Sequence, residues 1–284
     1  MSALDRRLNA FRPDLADERL SGQVEARNFA AGRPARVAVP VLGVLDAPRP
    51  DAGLDTQLLA GDTVRVFDEA EGFSWVQAER DGYVGYVSGA GLAPVGDAPT
   101  HVVVAPRTFT YREPNMKKGA TGALSMGSHV RIVGSASARG TDYALLESGE
   151  ALIAAHLRPA GEVSGDYVAV AEMLEHTPYL WGGASAFGID CSGLVQLSMR
   201  MTGQGVRRDT DMQAATVGTA LGDDPAGLRR GDLVFWKGHV AIMADDETII
   251  HANGHTMMVS REKLAPAIER IAYLYGPPTG FRRA

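Results

Sequence analysis

The run Pro178-Tyr179-Leu180-Trp181-Gly182-Gly183-Ala184-Ser185-Ala186-Phe187-Gly188-Ile189-Asp190-Cys191-Ser192-Gly193-Leu194 carries the only cysteine of this 284-residue chain. A single thiol has no intramolecular disulfide partner, so it serves either packing or reactivity. The glycines before it mark a loop, and Leu194, Leu197 and Met201 after it recur at helical spacing, ended by Gly203-Gln204-Gly205. Cys191 therefore falls where a glycine-rich loop opens a helix. There the positive end of the helix dipole favours the thiolate, the nucleophilic form.

Two histidines follow in strand-like surroundings, His239 in Gly238-His239-Val240-Ala241-Ile242-Met243 and His251 in Ile249-Ile250-His251-Ala252-Asn253. Cysteine, histidine and a polar third group form the set of a cysteine hydrolase. With Asp245-Asp246-Glu247 as a hairpin turn centred on Asp246, His251 pairs opposite Ala241 and becomes the same-face diagonal neighbour of His239. A one-residue slip would put it on the other face. In this reading Cys191 attacks a carbonyl carbon and His239 moves the proton from thiol to leaving amine. His251 holds the His239 ring, and the Cys191 N–H, with the Tyr179 hydroxyl, faces the oxyanion. Two other readings stand beside this one: a cysteine and histidines that merely pack, and an open zinc site. No C-x-x-C or H-x-x-x-H pair favours a metal, so neither metal nor cofactor is expected.

The bulk composition fits a soluble multidomain chain, with 45% apolar and 22% charged residues and a formal charge of -6. That charge argues against a nucleic-acid partner. No run approaches the roughly 20 apolar residues of a membrane span, so no membrane partner is expected. The first ten residues have no apolar core of signal-peptide length, and one unpaired cysteine suits a reducing compartment, so the expected location is cytoplasmic.

Four stretches follow along the chain. Residues 1–30 read as a polar N-terminal extension with a weak helical pattern at Leu4, Leu8, Phe11 and Leu15. Residues 31–96 read as short strands, among them 37–42, 61–68, 74–78 and 82–87, with Asp81-Gly82 as a turn. Residues 97–162 repeat the pattern at a period of about 66 residues, Gly127 standing for Gly61, which suggests two small all-β barrels in tandem. Residues 163–284 change to helices followed by strands, an α+β domain, with a helix over 168–176 and strands at 232–236, 239–243, 248–251 and 270–274.

These motifs carry a resemblance. Tyr179 to Gly183, Asp190 to Leu194, Gly231 to Trp236, Gly238 to Ile242 and Ile250-His251-Ala252 look like the successive motifs of NlpC-type cysteine peptidases. Gln57 to Asp62 and Asp81 to Val87 resemble the bacterial SH3-like domains attached to cell-wall enzymes. Together they resemble the γ-D-glutamyl-diamino acid endopeptidases, also called dipeptidyl-peptidase VI. The resemblance implies two SH3-like barrels followed by a papain-like α+β peptidase domain. It implies catalysis by Cys191, His239 and His251, and a murein peptide substrate, L-alanyl-γ-D-glutamyl-diaminopimelate or its lysine equivalent, cut in cell-wall peptide recycling. It places Tyr179 on the oxyanion side and Asp190, Ser192, Asp209 and Thr210 along the substrate. It gives Asp46 and Tyr83 of the first barrel the free amine of the terminal L-alanine. An amidase or acyltransferase on the same fold, and a wall-fragment binding protein without catalysis, are the alternatives.

Overall fold

The structure is a computed structural model that describes residues 4–222 and 225–284; the first three residues of the 1–30 stretch lie outside it. The chain divides into two compact units, Met1–Glu162 and Val163–Ala284.

The first unit is all β apart from single 3-10 turns. A seven-stranded sheet runs in the order Leu54–Leu59, Val41–Leu45, Val84–Ser88, Phe73–Ala78, Thr63–Ala70, Arg33–Val37, Leu92–Ala93. It closes on a core of Val37, Leu42, Val44, Leu58, Val64, Val66, Val76 and Val87. Further along the chain the order recurs: Ala120–Ser125, Arg107–Tyr111, Ala151–Ile153, Thr141–Leu146, Ile132–Ala138 form one sheet, and His129–Val130, His101–Val103, Leu157–Pro159 another. The two sets touch where the His129 N–H donates to the Ala60 carbonyl at 2.8 Å, beside Gly61. Gly61 has φ +85°, and a Cβ there would lie 2.4 Å from the His129 carbonyl oxygen.

Three sequence expectations change here. Residues 4–14 form no helix, because the stretch is pinned as extended and turning chain onto the first barrel. The Arg12 guanidinium lies 4.4 Å over the Trp75 ring and donates to Asp68 at 2.6 Å, and the Arg7 carbonyl accepts from the Val84 N–H at 2.8 Å. The single strand expected at 37–42 is two strands, Arg33–Val37 and Val41–Leu45, broken before and at Pro40, which has no N–H for a ladder. The strand expected at 270–274 is part of helix α4, Leu264–Tyr275. Over the longer window Leu264, Ala267 and Ile271 recur at helical spacing, and all three are buried.

The second unit holds a six-stranded antiparallel sheet, ordered Thr219–Ala220, Gly280–Arg283, Asp232–Trp236, His239–Met243, Thr248–Asn253, Met258–Lys263. Helix α4 packs on one face over Val234, Trp236, Ala241, Met243 and Ile249. Helix α1 (Tyr167–Met173) stops short of the expected 176, and His176 takes φ +68°. Helix α2 (Cys191–Met201) buries Leu194, Leu197 and Met201, and α3 (Thr210–Thr216) follows. The Lys237-Gly238 turn, with Gly238 at φ +78°, sets His239 opposite Trp236.

The Gly61 contact yields a test of how the first unit is tied together. Gly61→Ala is expected to lower stability by about 1–3 kcal/mol, from left-handed strain and the clash with a backbone atom that cannot move aside. Thermal and urea unfolding of the whole chain measure it, with Gly72→Ala as comparison, since a Cβ at Gly72 (φ +83°) meets nothing within 4 Å.

Candidate active site

The cysteine loop is built around one carboxylate. Asp190 is the N-cap of α2, and its Oδ1 accepts from the Gly193 N–H at 2.7 Å. Its Oδ2 accepts from the Gly182 N–H at 3.0 Å, drawing the loop back onto the helix start. Arg208 donates to both oxygens, Nη1 to Oδ1 at 3.0 Å and Nη2 to Oδ2 at 2.6 Å, and the Ser192 hydroxyl donates to Oδ1 at 3.2 Å. Arg208 Nη1 also donates to Ser192 Oγ at 2.7 Å. Asp190, Ser192 and Arg208 are all buried. The glycines follow from this closeness: a Cβ on Gly193 would sit 2.3 Å from the Gly183 carbonyl oxygen, and one on Gly183 2.5 Å from that of Gly188.

This lock presents Cys191 as the first residue of α2, where its N–H has no acceptor within the helix. The Cys191 Sγ lies 3.9 Å from the Thr210 hydroxyl and takes a hydrogen bond from the Val240 backbone N–H, next to His239. Burial pushes the thiol up to about 11, and the Asp190 charge adds to that; Val240, Thr210 and Arg208 pull the other way. The helix-dipole expectation of a lowered thiol is thus outweighed by desolvation.

The two histidines meet. Ile242 pairs with Ile250 and Met243 with Ile249, the register centred on Asp246, whose neighbour Asp245 accepts from the Glu247 and Thr248 N–H groups at 2.9 and 2.7 Å. His239 Nε2 and His251 Nδ1 are 2.8 Å apart. His251 is fully buried, and its Nε2 reaches Glu262 Oε1 at 2.8 Å. The same oxygen accepts from Arg270 Nη2. Burial holds both imidazoles below their ordinary range; Arg270 adds to this and Glu262 opposes it. Burial works against the Glu262 carboxylate, but hydrogen bonds from His251 and Arg270 prevail and bring it down to about 2.

The other expected residues divide. Tyr179 is half-buried near Cys191, its hydroxyl pushed up by burial and by the Cys191 and Asp190 charges, and among the described residues it makes no hydrogen bond through that hydroxyl. Thr210 lies at the thiol. Asp209 is half-buried at the N-cap of α3. Asp190 and Ser192 spend their polar atoms on the loop lock. In the first unit Asp46 is exposed and accepts from the Gly53 N–H at 3.1 Å, and Tyr83 is buried in the barrel. Sequence reasoning missed Arg208 as the partner of Asp190, Gln213, whose amide donates to the Ser192 carbonyl at 2.9 Å, and the pair Glu262–Arg270. Among the described residues no cluster of three or more His, Cys, Asp or Glu side chains is placed to hold a metal.

A buried thiol at a helix start, hydrogen-bonded by the strand backbone next to a histidine that a second histidine holds, is the arrangement of a papain-like cysteine site. The comparisons agree with that class. Residues 176–271 match the NlpC/P60 family, and residues 44–92 match the bacterial dipeptidyl-peptidase SH3 domain, so the chain carries an NlpC/P60 domain behind a bacterial SH3 domain. It is similar to dipeptidyl-peptidase 6 of Lysinibacillus sphaericus, 33% identical over 35% of this chain and 40% of the relative. It is also similar to a gamma-D-glutamyl-L-lysine dipeptidyl-peptidase of Bacillus cereus, 35% identical over 31% of this chain and 28% of the relative. The matches thus span less than half the length of these relatives. The crystal structure of an NlpC/P60 family protein from Bacillus cereus superposes with a TM-score of 0.73 at 22% identity, over 88% of this chain and 99% of that one, and shows the same fold.

Two outcomes follow from the site. Arg208→Met leaves the Asp190 carboxylate buried without its cation and is expected to cost about 3–5 kcal/mol of stability, read by chemical unfolding and by a changed rate of Cys191 alkylation. The raised thiol means that the reactive thiolate forms only at higher pH. The iodoacetamide rate at Cys191 is therefore expected to climb through pH 8–10, about the range of an ordinary thiol and above it. A plateau reached below pH 7 would instead reveal a resting thiolate–imidazolium pair.

Proposed function

We propose that this chain is a cysteine peptidase that hydrolyses the γ-D-glutamyl–diamino acid bond of murein peptides bearing a free N-terminal L-alanine. The observation that carries the reading is the assembled Cys191, His239 and His251 set, on an NlpC/P60 domain that follows a dipeptidyl-peptidase SH3 domain. The named activities of the relatives from Lysinibacillus sphaericus and Bacillus cereus support the substrate class.

The chemistry runs as acyl transfer through the thiol. His239 takes the Cys191 proton as sulfur attacks the γ-carbonyl carbon of D-glutamate. The oxyanion forms toward the Cys191 N–H and the Tyr179 hydroxyl. The tetrahedral adduct collapses with the C–N bond, the diamino acid amine leaving with the proton from His239. Water, deprotonated by His239, then cleaves the thioester and releases L-alanyl-D-glutamate. Thr210 and Asp209 are our candidates for direct substrate contact, while Asp190 and Ser192 act by holding the loop.

We read the recurring strand order at 97–162 as a second, divergent SH3-like barrel. Asp46 and Tyr83 of the first barrel are our candidates for the substrate amine, an anion and a hydroxyl suited to an ammonium group. A recycling role in a reducing compartment completes the reading.

Mass spectrometry of L-alanyl-γ-D-glutamyl-diaminopimelate, its lysine equivalent and their N-acetylated forms tests the proposal. Release of L-alanyl-D-glutamate from the free-amine peptides, abolished by Cys191→Ala, is the expected result. Cleavage of the acetylated forms at the same rate would remove the amine-pocket assignment, and no cleavage of any form would overturn the peptidase reading.

A further inference from the structure

The hydrogen-bonded row through the two histidines does not stop at His251. Ser260 pairs with His251 and Glu262 with Ile249, which makes Glu262 the same-face diagonal neighbour of His251. Glu262 Oε1 lies 2.8 Å from His251 Nε2 and also takes the Arg270 guanidinium from α4. The row therefore crosses three adjacent strands and ends in a helix, running Arg270, Glu262, His251, His239.

Proton bookkeeping along this row has one consistent solution. An ionised carboxylate only accepts, so His251 Nε2 must carry a proton. A neutral His251 then has a bare Nδ1, and that atom is 2.8 Å from His239 Nε2. His239 Nε2 must donate, which leaves Nδ1 of a neutral His239 as its basic nitrogen. The reverse set would bring the lone pair of His251 Nε2 against the carboxylate and place the His239 proton on the nitrogen needed as base.

We infer that Glu262, which pairs with Arg270, is a positioning residue that fixes the tautomers of His251 and His239 and so makes His239 Nδ1 the base for Cys191. Its activity readout rests on the peptidase reading; its tautomer readout does not. Glu262 touches neither the thiol nor the acyl group and acts through two rings. It also acts through charge. His251 is faced by His239, by Glu262 on the next strand, by Arg270 on α4 and by His255 in the following turn. Glu262 raises both imidazoles and Arg270 lowers both.

The test uses the full chain with Glu262→Leu, Glu262→Gln and Arg270→Met. Imidazole nitrogen NMR of the unmodified protein is expected to show both rings protonated on Nε2 and bare on Nδ1. Glu262→Leu is expected to mix the tautomers and to lower kcat about 10- to 100-fold, the scale seen when the carboxylate orienting a functional histidine is lost. Glu262→Gln keeps an accepting oxygen and is expected to recover most of kcat. The acid limb of kcat/KM separates this role from scaffolding. Losing the negative charge in Glu262→Gln lowers the imidazoles further and moves the limb to lower pH; losing the positive charge in Arg270→Met moves it to higher pH. A His251 protonated on Nδ1 in the unmodified protein would overturn the inference. So would limbs that stay in place while kcat falls only in step with thermal stability. Tautomers as assigned, in a protein that cleaves no murein peptide, would uphold the relay and remove the peptidase reading alone.

Discussion

The Asp190 carboxylate is the constraint from which the second unit's chemistry follows. A buried anion must be fully hydrogen-bonded or paired. This one draws its donors from the loop before the helix, from the first turn of the helix and from Arg208. Meeting that demand fixes where Gly182, Gly193 and Ser192 lie, and Cys191 has no freedom left between them. The neighbouring glycines are then a consequence: backbone drawn this close to backbone leaves no room for a Cβ. Burial works most strongly against the thiolate, and the Asp190 charge of the lock adds to it. Arg208 offsets part of that effect, which gives the ion pair an electrostatic role beside its structural one.

Much of the site was legible because its residues are rare types in informative local settings. One cysteine between a glycine loop and a helical repeat, and two histidines flanking an Asp245-Asp246-Glu247 turn, constrain the geometry strongly. The register follows from the turn, and Asp245 closes that turn with its own carboxylate, a local interaction that needs no tertiary information. The long-range partners were not legible. Arg208 is 18 residues beyond Asp190 and looks like one surface arginine among many. Glu262 depends on the strand Met258–Lys263, whose mixed polar pattern gives little alternation, and Arg270 on a helix whose last residues are a short apolar run that reads as a strand. In the first unit, the repeat was visible in Gly61 and Gly127, yet the N-terminal stretch was misjudged because what shapes it is Arg12 on the distant Trp75 ring.

The two carboxylates of the site sit at opposite ends of its proton path and pull in opposite senses. Asp190, beside the sulfur, disfavours a resting thiolate; Glu262, beyond two rings, favours positive charge on the imidazoles. Burial disfavours charge at both Cys191 and His239, and it is the larger effect at each. Both directions favour a neutral thiol beside a neutral imidazole at rest, so that in the proposed reaction charge separates as sulfur attacks. In that proposed step negative charge passes from sulfur to the acyl oxygen, away from Asp190 and toward the Cys191 N–H and Tyr179 hydroxyl, which find no acceptor among the described residues. Positive charge then appears on His239, where Glu262 favours it and Arg270, the larger of the two effects there, opposes it. Fixed dipoles aimed at charge that exists only in the transition state lower the barrier without stabilising the ground state to match. For the proposed peptidase, a buried, neutral resting site is in this sense the condition for its electrostatics to act on the reaction and not on the free protein.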